Sequence, residues 1–141
     1  MSVTKSSVKE KVRDWVARIE SLYENIEKWA SDCEKIDEII RGETFQRREH
    51  LMEQFKVEPG KIPTLSLHSG KKRLSFVPSS LWNEGANGRI NVMANNEHYI
   101  LFDMGGENGS RSDWKISIPD ARSSLTKFDK FSFKRIVKEN L

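Results

Sequence analysis

The residues that most often carry out chemistry in proteins are widely spaced in this sequence. Its three histidines, His50, His68 and His98, match no H-x₃₋₅-H or H-E-x-x-H spacing, and its single cysteine, Cys33, allows neither an internal disulfide nor a multi-cysteine metal site. We therefore expect no catalytic, metal-binding or cofactor-binding residues and no cofactor. The histidines are interpreted as surface or packing residues and Cys33 as a buried, inert thiol. An enzyme with a dispersed active site is the alternative.

The stretch GANGRINV, residues 85–92, raises the question of whether its glycines bind a phosphate or form a turn. A phosphate-binding glycine loop is followed by a helix, whose free N–H groups and positive dipole end face the anion. The residues after Gly88 instead alternate with period two, which is typical of a strand. Asn87-Gly88 therefore predicts a β-hairpin with a type I′ turn, because Asn and Gly best tolerate the positive φ that both central residues need.

That turn predicts a register and therefore the faces of the two strands. Ala86 is expected to pair with Arg89 and Trp82 with Met93, and cross-strand partners share a face. The residues expected on the opposite, core-facing side are Leu81, Ile90 and Val92. Trp82, Met93 and Arg89 form the candidate interaction surface. We expect Trp82 and Met93 to be covered by a helix, since large exposed apolar patches are uncommon in monomers, and an exposed patch is the alternative.

The segment LSFVPSSLWNEGANGRINV, residues 74–92, resembles a family of small, uncharacterised bacterial proteins. In that family a Trp-containing N-terminal helix precedes a strand, a proline and a G-A-N-G-R hairpin. The resemblance covers residues 62–93, with looser similarity on both sides. It implies the hairpin and a bacterial origin, and it implies no activity.

Basic residues form the most suggestive surface pattern. On the final predicted helix, lysines recur every four residues with an arginine beside them and an apolar side opposite, which makes a one-sided cationic stripe. A second basic run lies near the tip of a predicted hairpin, from which side chains can reach phosphates. The candidate phosphate contacts are Lys71, Lys72, Arg73, Lys130, Lys134, Arg135 and Lys138. A solvated helix face whose lysines favour the negative C-terminal end of the helix is the alternative.

A regular apolar pattern predicts a long N-terminal helix that positions the rest of the fold. From Val8 to Ile40, apolar residues alternate at spacings of four and three. This repeat is typical of a coiled coil, but Val16, Tyr23 and Ala30 widen the apolar stripe to a third column. We therefore expect the helix to pack on the protein's own core, with an intermolecular helix pair as the alternative.

The ends of this helix are marked by two S-x-x-E pairs, the spacing of a capping box. Ser7 and Glu10 are expected to begin the helix. Ser31 and Glu34 form the second pair, so the sequence allows two positions for the end of the helix. The helix either ends shortly before Ser31, with a strand following, or continues to residue 42.

The remaining chain changes from helical to strand-like patterning. Residues 43–61 are expected to form a connector with a short helix, residues 62–128 an antiparallel sheet, and residues 129–141 a short C-terminal helix capped by Asp129. The acidic, glycine-containing segment 103–113 departs from the spacing of a calcium-binding EF-hand loop, so we expect a flexible loop. The predicted fold is α+β, with a long N-terminal helix packed on an antiparallel β-meander and a short C-terminal helix.

Composition limits the classes of protein to which the chain can belong. Its 141 residues, 36% hydrophobic and 32% charged, are typical of a single globular domain that can bury enough surface to offset chain entropy. Residues 1–60 contain 11 Lys/Arg and 13 Asp/Glu, a net charge of −2, whereas residues 61–141 contain 13 and 8, a net charge of +5. The sequence contains neither a membrane-spanning run nor a secretory signal, so we expect a cytoplasmic location and no membrane partner.

These observations favour a non-enzymatic cytosolic protein that interacts with other proteins or acts as an adaptor. A homodimer is one form that this hypothesis takes. The alternative is a nucleic-acid-binding module that uses the basic C-terminal part. The two differ in salt dependence, because only nucleic-acid binding is expected to weaken steeply with salt.

Overall fold

The fold is described here from a computed structural model, for residues 3–83, 85–105, 111–118 and 121–141. Within these residues, seven strands form one antiparallel sheet in the order β1 to β7, so that each strand pairs with its neighbours in sequence. The structure confirms the α+β class, with a long N-terminal helix, a β-meander and a short C-terminal helix. The elements in chain order are α1 (Lys5–Ser31), β1 (Glu38–Phe45), α2 (His50–Gln54), β2 (Lys61–Ser69), β3 (Lys72–Ser80), β4 (Arg89–Met93), β5 (His98–Asp103), β6 (Trp114–Ile118), β7 (Ala121–Lys127) and α3 (Lys130–Asn140).

Helix α1 begins earlier than its apolar pattern predicted. Thr4 is the N-cap, because its Oγ1 accepts a hydrogen bond from the Ser7 backbone N–H (3.1 Å) while its own N–H donates to Ser7 Oγ (2.9 Å). The predicted capping pair of Ser7 and Glu10 is therefore wrong, since Ser7 occupies the third helical position rather than the cap. At the other end α1 stops at Ser31, which confirms the shorter of the two expected helices.

The apolar stripe of α1 packs on the protein's own sheet. Trp15, Ile19 and Ile26 are fully buried, and they belong to one cluster with the central residues of the strands. From the third column of the stripe, the buried Tyr23 hydroxyl makes hydrogen bonds with the carbonyl oxygens of Pro63 (3.1 Å) and Phe76 (3.3 Å). The expected packing of the helix on its own core is confirmed.

Helix α3 covers the same side of the sheet. Asp129 is its N-cap, as predicted, and its carboxylate accepts a hydrogen bond from the Ser132 backbone N–H (3.0 Å). The ring of Trp29 in α1 contacts the rings of Phe128 (centroid distance 5.7 Å) and Phe133 (5.8 Å). The first and last helices therefore pack against each other as well as on the strands.

Strand β1 confirms the alternative in which a strand follows the shorter helix, whereas β7 was not predicted as a separate strand within the sheet expected at residues 62–128. The boundary expected between residues 42 and 43 lies inside β1, so the connector predicted for residues 43–61 begins as a strand and contains α2 at His50–Gln54. All residues of β1 are exposed or half-buried, and buried and exposed side chains do not alternate along it as they do in a strand with one buried face. Strand β7, Ala121–Lys127, forms the opposite edge of the sheet.

The predicted hairpin register around Asn87-Gly88 is wrong. Strand β4 pairs with β3, with Ile90 opposite Pro78 and Arg89 opposite Ser80 across a β-bulge. The residues between the strands form a wider excursion in which Asn83 bridges Ala86. Gly88 has a positive φ of 154°, but Asn87 does not, so the backbone is not a type I′ turn.

The sheet has one face covered by α1 and α3 and one face that no helix among the described residues covers, which we call the open face. Ile90 and Val92 point to the covered side and are fully buried, as predicted. Their neighbours Arg89, Asn91 and Met93 point to the open face, because successive strand residues alternate.

Candidate binding surfaces

The three residues predicted as an interaction surface are divided by the fold. Arg89 and Met93 lie on the open face. Trp82 packs instead beside a small apolar cluster of Val8, Met52 and Val57, between α1 and α2. Both apolar residues were expected to be covered by a helix. This prediction is confirmed in part for Trp82, which is half-buried, and is wrong for Met93, which is 43% exposed.

The position of Trp82 depends on Glu49 at the start of α2. The carboxylate of Glu49 accepts hydrogen bonds from the backbone N–H groups of Leu81 (2.9 Å) and Trp82 (3.0 Å). Burial raises the pKa of Glu49, while these two N–H donors act in the opposite direction. The side chain thus attaches α2 to the segment that leads into β4.

The open face carries a row of three cations and one aromatic ring across four adjacent strands. Arg89 pairs with Phe102, Phe102 with Lys115, and Lys115 with Lys127. Cross-strand partners share a face, so these side chains lie side by side at intervals of about 4.8 Å. We call this set the Arg89–Lys127 row.

Arg89 is the most constrained member of this row. Its guanidinium lies over the Phe102 ring, with 5.9 Å between the guanidinium carbon and the ring centroid. Its Nε is buried, and no acceptor for it and no carboxylate partner for the guanidinium occurs within the described residues. A partly buried cation without a partner is unusual, because burial of a charge is costly unless an opposite charge or acceptor compensates it.

The charge of the open face is predominantly positive. Besides the Arg89–Lys127 row, Arg73 and Glu38 lie on this face, on either side of His68. Lys115 makes one long contact with Asp113 (3.9 Å), and Lys127 is exposed. Exposed aliphatic side chains accompany these charges on the same face, and they belong to Ile40, Met93 and Leu125.

The two groups of candidate phosphate contacts lie in different parts of the fold. Lys71, Lys72 and Arg73 are exposed at the β2–β3 turn, and Arg73 extends the open face. The cationic stripe on α3, which we call the α3 stripe, lies on the helical side of the sheet and consists of Lys130, Lys134, Arg135 and Lys138. The structure therefore does not unite these groups in one surface.

Carboxylates neutralise part of the α3 stripe. Lys130 pairs with Asp32 (3.1 Å) and Arg135 with Glu139 (3.3 Å). Lys134 and Lys138 line a cavity of about 330 Å³ together with Cys33 and the acidic residues Asp32 and Glu34. These partners make the stripe less suited to phosphates than its sequence spacing suggested.

The histidines and the cysteine have separate surroundings. The ring of His98 is hydrogen-bonded with Asn91 Oδ1 (3.3 Å) on the open face, and Nε2 of His68 is buried without a partner among the described residues. Cys33 is half-buried, and its thiol lies 3.5 Å from the carbonyl oxygen of Trp29. In the described parts of the chain, no group of three or more His, Cys, Asp or Glu side chains is arranged to hold a metal ion.

The acidic end of β5 has a structural role. Asp103 is fully buried, and its carboxylate accepts hydrogen bonds from Arg18 of α1 (2.7 Å) and from the backbone N–H groups of Gly105 (3.0 Å) and Asp113 (2.9 Å). The loop predicted for residues 103–113 is thus joined at both ends to one carboxylate, while its residues 106–110 lie outside the described residues.

The fold and the open face define an α+β protein with one basic, partly apolar sheet surface. Comparisons of the chain with protein-family models, with curated proteins and with solved structures found no match. The similarity to a bacterial family thus stays an expectation. None of the described helices has the length and apolar character needed to cross a membrane.

Proposed function

We propose that the protein is a binding module for single-stranded nucleic acid and that the strand lies across the open face of its sheet. The observation that carries this proposal is the guanidinium of Arg89, which is stacked on Phe102 and has no anionic partner among the described residues. A phosphate group would compensate that charge with hydrogen bonds. The proposed function involves no chemical step.

The Arg89–Lys127 row combines the two contacts that single strands need. Bases stack on aromatic rings, and the half-buried ring of Phe102 lies between Arg89 and Lys115, where a base would use the part of the ring that the Arg89 guanidinium leaves uncovered. Arg89, Lys115 and Lys127 are placed to contact successive phosphates. A duplex keeps its bases paired and stacked, so it cannot use Phe102, and we expect the protein to prefer single strands.

The exposed aliphatic residues of the same face favour a second candidate function. Ile40, Met93 and Leu125 are each between 38% and 43% exposed, and they lie on β1, β4 and β7, so a protein partner that contacts all three would cover most of the open face. Under this candidate the protein is an adaptor or a homodimer, as the sequence also suggested. It differs from nucleic-acid binding in its weaker dependence on salt.

Fluorescence anisotropy with labelled single-stranded DNA, single-stranded RNA and the corresponding duplexes tests the proposal. We expect binding to single strands at low salt, with a log–log salt slope of about −2, because about three phosphate contacts each release counterions from a single strand. Failure to bind either single strand at low salt would contradict the proposal and favour the protein partner.

Matched variants assign the binding surface. Phe102→Ala is expected to weaken binding about tenfold through loss of one stacked base, and Lys115→Glu with Lys127→Glu is expected to abolish binding. The control is Lys134→Glu with Lys138→Glu on α3, which makes the same change in charge on the other side of the sheet. Equal losses in the two double variants would show attraction by net charge alone and would overturn the open-face assignment.

A further inference from the structure

A second basic site lies on the helical side of the molecule, between the start of α1 and the segment that follows α2. It is a cavity of about 420 Å³, a volume within the range of small-molecule sites. Its charged lining includes Lys5, Lys9, Arg13 and Lys56, and its apolar lining includes Val12 and Val57. None of the notable sequence motifs falls here, and residues 1–60 have a net charge of −2.

The three cations of α1 that line the cavity are placed where they destabilise the helix. Lys5, Lys9 and Arg13 follow one another at intervals of four residues, so they lie along one stripe and repel each other. Lys5 also lies in the first turn, at the positively charged end of the helix dipole, and this turn contains no acidic residue. A bound anion would relieve both unfavourable interactions.

Lys56 is the fourth cation in the cavity lining, and its backbone is in the left-handed conformation. It has a φ of 54°, and it is the one non-glycine residue with positive φ in the described chain. This left-handed residue ends α2, because the N–H of Val57 donates to the carbonyl oxygen of Met52 (2.8 Å) and the N–H of Lys56 to that of Glu53 (3.3 Å). Lys56 therefore contributes its charge to the cavity, and its backbone conformation is explained by the end of the helix.

The carboxylate in the cavity wall does not neutralise these cations. Glu58 pairs with Arg48 (2.7 Å), and none of the four cavity cations makes an ion pair with another described residue. Four cations around a cavity raise the local concentration of anions, because the low-dielectric wall focuses their field.

We propose that this cavity binds a small organic polyphosphate, whose phosphate groups contact Lys5, Lys9, Arg13 and Lys56 and whose less polar body packs against Val12 and Val57. The cations supply charge-assisted hydrogen bonds to phosphate oxygens, and the two valines supply an apolar surface for a ring such as a nucleobase. The site is separate from the open face, which lies on the other side of the sheet.

Isothermal titration calorimetry with ATP, inorganic pyrophosphate and adenosine tests this proposal on the full chain without added metal. We expect ATP to bind with one site per chain, pyrophosphate to bind more weakly because it lacks the apolar body, and adenosine not to bind at the same concentrations. Absence of ATP binding at low salt would overturn the proposal, and pyrophosphate binding as tightly as ATP would overturn the role of the valines.

Two neighbouring lysines of α1 provide a matched pair of variants. Lys9→Glu is expected to weaken ATP binding at least about tenfold, whereas Lys11→Glu makes the same charge change on the same helix outside the cavity lining and is expected to change affinity less than about threefold. Equal losses in both variants would overturn the assignment of the cavity. Phe102→Ala is expected to leave ATP affinity unchanged, which separates this test from that of the open face.

Lys56→Gly separates a binding role from a structural one. Glycine adopts positive φ without strain, so the variant is expected to raise the denaturation midpoint while it lowers ATP affinity about tenfold. A stabilised variant with unchanged ATP affinity would remove Lys56 from the site and contradict the proposal.

Discussion

The indole ring of Trp15 lies directly against the backbone of Gly88, so that a Cβ atom at position 88 would overlap the six-membered ring. Trp15 is fully buried and contacts the ring of Trp114, with 6.0 Å between the centroids. Helix α1 thus contacts the residue immediately before β4, the central strand of the sheet, at a position where only glycine fits.

Gly88→Ala is expected to lower the free energy of unfolding by about 3 kcal/mol, because the added methyl group displaces a buried ring at a backbone conformation that alanine rarely adopts. Gly70→Ala is the matched control. Gly70 also has a positive φ, 59°, but a Cβ there meets no atom within 4 Å, so the expected loss is about 1 kcal/mol. Urea denaturation measures both, and equal losses would contradict the contact with Trp15.

Ile19→Asn is expected to unfold the chain, because Ile19 is fully buried between α1 and the sheet. The loss of apolar packing and the burial of an amide together cost about 4 kcal/mol. Circular dichroism and light scattering are measured on the same sample, with the exposed Glu24→Asn as control. A folded variant that changes only its oligomeric mass would show that this stripe serves an intermolecular contact.

Asp103→Asn and Asp14→Asn change two carboxylates that contact the same Arg18, one fully buried and one 55% exposed. Asp103→Asn removes the buried counterion and leaves the guanidinium paired only with the exposed Asp14, and we expect a loss of about 3 kcal/mol. Asp14→Asn removes an exposed i,i+4 pair and is expected to cost less than about 0.5 kcal/mol. Chemical denaturation at neutral pH compares them, and a similar effect of the two substitutions would show that burial does not determine the strength of this contact.

Glu49→Gln is expected to change how stability depends on pH. Burial raises the pKa of Glu49 above its ordinary value of 4.5 in the folded state. Its contribution to stability is therefore fully present below the unfolded pKa and is lost as pH rises through the folded pKa. Glutamine cannot ionise, and its oxygen can still accept from the N–H groups of Leu81 and Trp82, so the variant should gain stability relative to the parent as pH rises from 4 to 7.

The control for this pH effect is Glu53→Gln, because Glu53 is exposed on the same short helix. Urea denaturation of this variant at pH 4 and pH 7 provides the baseline for the Glu49→Gln comparison. Glu49→Ala removes the acceptor entirely and should cost about 2 kcal/mol at pH 4 and less at pH 7, because alanine, like glutamine, cannot ionise. A pH dependence of the Glu49→Gln difference with the opposite sign would refute the raised pKa.

The helices were predictable from sequence because their determinants are local. The four-and-three spacing of apolar residues specifies the buried side of α1, and Asp129 marks the start of α3. Strand β1 lacks such a pattern, because it lies at the edge of the sheet and is positioned by pairing with β2 across α2 and by the ion pairs of Arg41 with Glu20 and Glu27 of α1.

The hairpin at Asn87-Gly88 shows how tertiary contacts override a local rule. The dipeptide favours a two-residue turn, but Glu49 binds the backbone of Leu81 and Trp82, and Trp15 packs on Gly88. Both contacts come from residues more than 30 positions away in sequence, so no local pattern records them.

The candidate surfaces were only partly predictable for the same reason. Arg89 and Met93 were singled out from one strand and its turn, whereas Phe102, Lys115 and Lys127 join them through pairings across three further strands. A correct register for the whole meander would have been needed to place them in one row.

The nearest-neighbour strand order has a consequence for how the chain assembles during synthesis. Each strand finds its partner a short distance away in sequence, so successive hairpins can form as they emerge from the ribosome, and local connectivity of this kind favours rapid folding. The contact between α1 and α3 is different, because it joins the first and last helices of the chain, as the pair of Asp32 and Lys130 illustrates. We therefore expect the sheet to be largely paired while its apolar side still lacks α3, and the core to be completed only when α3 packs against α1.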